Sequence, residues 1–92
     1  MKVDEVDGFA LRLAQEIRKA QAVAGHDSRL LPKLQRLEKT VENAHLTFHK
    51  ALGRRNPTLA SRQAKIIIEG KDQLIQLMKG PKRLDIHLNL DF

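Results

Sequence analysis

Apolar residues in the first half of the chain recur at alternating steps of three and four. Val3, Val6, Ala10, Leu13, Ile17, Ala20 and Ala24 form one such row, and Leu30, Leu34, Leu37, Val41, Ala44, Phe48 and Ala51 form a second. That spacing holds every member on one side of an α-helix, and it fits neither face of a strand. The two rows therefore predict consecutive helices over about residues 3–24 and 28–52, each burying one face. Gly25 and Gly53 close the rows, and Gly25 suits the left-handed position that commonly ends a helix. Asp27 or Ser28 is placed to cap the second helix, with Pro32 in its opening turn.

A third helix is predicted over about 57–79. Asn56 followed by Pro57 makes a cap and a preset first helical residue. Ala60, Ala64, Ile67, Leu74 and Met78 continue a stripe that Ile68 and Ile75 broaden and Lys71 interrupts. Gly70 falls mid-segment, where it costs about 1 kcal/mol relative to Ala. The competing expectation is a hairpin with strands at 66–68 and 74–77. Segment length and helix-favouring flanks favour the helix.

Gly80 and Pro81 then stop the helix and the period changes. Leu84, Ile86, Leu88, Leu90 and Phe92 alternate with Asp85, His87, Asn89 and Asp91, the pattern of a strand buried on one face. No other segment reads as its partner strand. The ladder is expected to pair with a second copy of the chain or with another protein. The alternative is a tail docked along the helices. The expected fold is mainly α: an antiparallel two- or three-helix hairpin or bundle over 1–80, with a short C-terminal β-strand or docking tail over 81–92 that pairs between chains.

At 92 residues such a domain buries only about 60–65% of its unfolded surface, so association with a second chain is a natural supplement. The absence of Cys excludes a disulfide framework, a cysteine nucleophile, a thiolate zinc site and an iron–sulfur centre. With three Phe and neither Trp nor Tyr, base stacking on an aromatic sheet is excluded as well. No apolar run approaches the roughly 18 residues of a membrane span, so no membrane partner is expected. Asp4, Glu5 and Asp7 crowd the first turn, unlike a signal or transit peptide, and a cytoplasmic protein is expected.

Motifs for chemistry are sparse. His45 and His49 lie one helical turn apart with Glu42 three residues before His45, a spacing that brings all three side chains near one another. Leu46 stands where a zinc-protease helix carries its glutamate, so that chemistry is absent, and the pair reads first as residues flanking a helix contact. No serine elbow and no glycine-rich phosphate loop is present. The expectation is a non-enzymatic protein with no cofactor and no metal.

Charge is the remaining signal. The chain is net +6; residues 26–55 hold seven bases and three acids, net +4, and residues 56–80 hold four and two, net +2. Arg29, Lys33, Arg36, Lys50, Arg54, Arg55, Arg62 and Lys65 carry the excess, with Arg54, Arg55, Arg62 and Lys65 clustered around the second turn as candidate phosphate ligands. Two functions follow as expectations. The first is an assembly or adaptor protein that homo-oligomerises and contacts protein partners. Its interfaces would be the seam Leu13, Ile17, Leu34, Leu37, Val41, Phe48, Ile67 and Leu74, which serves an oligomer or a core, and the strand residues Leu84, Ile86, Leu88, Leu90 and Phe92. The second is a small basic DNA- or RNA-associated protein that holds phosphates without reading sequence.

Overall fold

The apolar rows wind into three helices, α1 (Val3–Val23), α2 (Leu30–Gly53) and α3 (Pro57–Met78), in a computed structural model that describes residues 2–25, 29–78 and 92. Ion pairs and hydrogen bonds across α1 and α2 join Asp7 to His45 and His49, and Arg18 to Glu38, so these helices run antiparallel. The short turn at 54–56 folds α3 back along α2, which leaves α1 and α3 parallel. α2 packs more extensively on α3 than on α1. The described residues extend over 44 × 24 × 17 Å.

The rows meet in one core. Val6, Ala10, Leu13, Ile17 and Ala20 of α1, six residues of α2 from Leu34 to Ala51, and Ala60, Ala64, Ile67 and Leu74 of α3 are all buried together. Leu13, Ile17, Leu34, Ile67 and Leu74 retain no exposed surface at all. Each such side chain stabilises the fold by about 1.5–3 kcal/mol. All eight seam residues that pattern alone assigns to an oligomer or a core lie in this intrachain core, so no continuous seam remains open along the helices.

α3 is unbroken, and Gly70 sits inside it as a buried residue. A Cβ at that position would meet Val41 Cγ2 at 3.0 Å and Leu13 Cδ2 at 3.1 Å. The glycine sits where side chains of α1 and α2 crowd against α3 and leave no room for a Cβ, which explains a residue that helix propensity alone disfavours.

The turns correct two local expectations. α2 ends on Gly53, and the left-handed residue is Arg55, at φ 56°. Arg55 N–H donates to Leu52 C=O at 3.1 Å and Asn56 N–H to Ala51 C=O at 2.9 Å, the paired bonds of a Schellman motif with Arg in the position glycine favours. Gly25 likewise does not adopt positive φ. α2 starts at Leu30 and Arg29 at its N-cap makes no side-chain capping bond, whereas Asp27 and Ser28, the expected caps, lie outside the described residues. The Asn56 cap does form: its Oδ1 accepts from Leu59 N–H at 3.1 Å.

No strand occurs among the described residues. The alternating segment, with Leu84, Ile86, Leu88 and Leu90, lies outside them apart from Phe92. The Phe92 ring meets Phe9 of α1 edge-to-face, with centroids 4.9 Å apart, and lies 5.0 Å from Lys71 Nζ. Lys71 also donates to the Phe92 backbone oxygen at 3.0 Å.

Candidate functional site

Two features stand out on the surface. The first is the end of the bundle formed by the last turns of α2 and the first turns of α3. Between Glu42 and Glu69 the chain holds five bases, Lys50, Arg54, Arg55, Arg62 and Lys65, and no acid. This acid-free run is the signal that charge totals over longer blocks blur, and it adds Lys50 to the four expected residues. Lys50 in the last turn of α2 and Arg54 at its C-cap lie one turn apart, and on α3 Arg62 and Lys65 do the same, so each pair lies on one side of its helix. The Asn56 cap and the Schellman turn fix how α3 leaves α2, and so hold the two pairs at one end. All five side-chain-bearing residues are exposed. Among the described residues none of them enters an ion pair.

Antiparallel packing brings the α1 acids to this same end, but they are placed on α1. Asp7 is engaged by two histidines. Asp4 and Glu5 lie in the first turn, where they complement the helix dipole. The remaining bases of α2 lie toward its other end: Arg29 is exposed beside the N-terminus, and Lys33 and Arg36 line an open groove of 520 Å³ against Asp72, Gln73 and Gln76 of α3. That groove holds cations and an acid together, whereas the 43–68 segment itself carries bases and no acid.

The second feature joins α1 to α2. His45 Nε2 and His49 Nε2 each lie 2.6 Å from Asp7 Oδ1. Asp7 is held below the usual carboxylate range: the hydrogen bond from His45 is the largest cause, burial pushes the other way, and the His49 bond and the charge of both rings add to the lowering. An ionised carboxylate only accepts, so both imidazoles donate through Nε2. The two rings lie 5.1 Å apart, and Phe48 meets His49 edge-on at 5.5 Å. The third partner is therefore Asp7, and Glu42, the sequence candidate, is exposed instead.

No helix among the described residues is long and apolar enough to cross a membrane. Comparison with protein-family models, with curated proteins and with solved structures finds no match for this chain.

Proposed function

We propose that the chain is a non-enzymatic binding protein whose α2–α3 end holds the phosphate backbone of DNA or RNA without reading bases. The observation that carries this reading is the acid-free run of 43–68, folded into a hairpin end with Lys50, Arg54, Arg55, Arg62 and Lys65 exposed and unpaired among the described residues. Arginine forks match phosphate oxygens in pairs, and lysines add point charges. Bases have little to stack on: Phe48 is buried, and Phe9 and Phe92 face each other. Binding through charge alone follows counterion release, and its salt dependence counts the phosphates neutralised. Anisotropy of a labelled 20-base-pair duplex, titrated from 50 to 200 mM salt, tests this. The reading predicts a slope of log K against log salt of about −3 to −5 and equal affinity for unrelated sequences. A slope near zero contradicts it.

A second reading, an assembly or adaptor protein that forms a homo-oligomer and engages protein partners, is favoured by four large apolar residues at the surface. Leu11 is 61% exposed, Leu46 59%, Val23 51% and Val3 38%. The alternating C-terminal sequence supports the same reading. Light scattering tests it directly, since a monomer mass at micromolar concentration contradicts it.

A further inference from the structure

We propose that Asp7, His45 and His49 form a binding site for a divalent transition-metal ion, zinc by preference, that staples α1 to α2. His45 and His49 are spaced i, i+4 on α2, which turns both rings toward one point. Asp7 reaches the same point from the antiparallel α1, and the three donor atoms lie within 4.8 Å of one another. Two imidazole nitrogens and a carboxylate oxygen are the donor set that zinc takes at open sites, with water in the fourth position.

The dimensions fit with a small adjustment. Ligands about 2.0–2.1 Å from a tetrahedral ion stand about 3.3 Å apart. Asp7 Oδ1, now 2.6 Å from each nitrogen, has to withdraw by about 0.7 Å for an ion to enter between the three. Asp7 and His45 are about one-third exposed and His49 nearly half, so the side chains have room to move and solvent reaches the fourth position. Phe48, packed edge-on against His49, limits the orientations that ring can take. On zinc binding each Nε2 gives up its proton, either to solvent or to Nδ1 of the same ring, and its lone pair enters the metal bond.

Calorimetric titration with zinc chloride and thermal melts test the site. They are run on the full chain carrying His26→Gln and His87→Gln, so that the only imidazoles are His45 and His49. The expected result is one zinc per chain with micromolar affinity, and a rise in Tm of several degrees because the ion binds only the folded state. Asp7→Asn and His49→Gln are expected each to weaken zinc at least about tenfold, whereas Glu42→Gln leaves it unchanged. Lowering the pH to 5 is expected to abolish the Tm rise, because ligating histidines must be unprotonated. Absence of saturable binding overturns the proposal, as does zinc affinity that survives His49→Gln or is lost in Glu42→Gln. Asp7→Asn keeps the size of a partly exposed side chain, and circular dichroism of each variant separates a lost ligand from a lost fold.

Discussion

The bare Cα of Gly70 on α3 faces Val41 on α2, and a methyl group added there would stand 3.0 Å from Val41 Cγ2. Val41 is β-branched and buried, so it has one favoured rotamer and nowhere to turn. Leu13, at 3.1 Å on the other side, is fully enclosed. Gly70→Ala gains about 1 kcal/mol of helix propensity and loses about 1–3 kcal/mol to overpacking. Urea unfolding is expected to show a net loss near 1 kcal/mol, and Gly70→Leu a much larger one. A stabilised Gly70→Ala would mean that the helices meet less closely than the structure has them.

Arg55 occupies a left-handed backbone position at φ 56° where glycine carries no steric cost. Arg55→Gly is expected to stabilise the fold by about 1 kcal/mol. The same substitution removes one of the five cations at the hairpin end, so duplex affinity at 50 mM salt is expected to fall. Stability and binding moving in opposite directions would tie this strained arginine to phosphate contact. Neighbouring Asn56→Ala removes the cap on Leu59 N–H and is expected to destabilise by about 1 kcal/mol without changing the charge.

Phe92 covers Phe9 and receives Lys71 both at its ring and at its backbone oxygen. Phe92→Ala is expected to lower stability by about 1–2 kcal/mol through lost apolar area, the edge-to-face pair and the cation–ring contact. Phe92→Leu keeps most of the area and is expected to lose about half as much. Denaturation of the two variants side by side checks this, and equal stability of all three proteins would contradict the packing of Phe92 on α1.

Acid should release the α1–α2 clasp. The carboxyl of Asp7 is lowered in the folded chain, chiefly by the His45 hydrogen bond, so the folded state holds its proton more weakly than the unfolded state does. Its stabilising contribution is thus complete above the unfolded value near 4 and is lost as pH falls through the lower folded value. Asp7→Asn is expected to show a flatter loss of stability than the wild type as pH falls through and below the ordinary aspartate range. Carboxyl NMR of Asp7 is expected to give a midpoint below that of an aspartate in an unfolded chain.

The first two helices, their order and their core faces were legible because the 3-4 spacing of the rows carries one meaning in three dimensions, whereas Gly70 and Lys71 left the third between a helix and a hairpin. Every row member from Val6 to Ala51 except Leu30 is buried. The same rows read equally well as a seam between two chains, since periodicity says which face is covered and not by what. The third helix supplies the cover: Ile67, Leu74 and the notch at Gly70 complete the core. Gly53 illustrates a different limit: composition marks the end of α2 at Gly53, whereas the left-handed residue falls two positions later, at Arg55, where the hydrogen-bond register puts it. Asp7 was missed although a signal existed. An antiparallel hairpin pairs residues equidistant from its turn, and the midpoints of Asp7 with His45 (26), Asp7 with His49 (28) and Arg18 with Glu38 (28) agree. Searching near His45 along the chain finds Glu42, whereas searching across the hairpin finds Asp7.

The most direct measurement compares duplex binding at 50 mM salt by the wild type, by Arg54→Ala/Arg55→Ala/Arg62→Ala/Lys65→Ala, and by two variants that each remove two cations, Arg54→Ala/Arg55→Ala from the hairpin end and Lys33→Ala/Arg36→Ala from the mixed groove. If the hairpin end holds phosphates, the quadruple variant loses at least about a hundredfold in affinity and most of the salt slope, while the groove pair changes affinity by only a few-fold. Equal binding by the wild type and the folded quadruple variant would contradict the account.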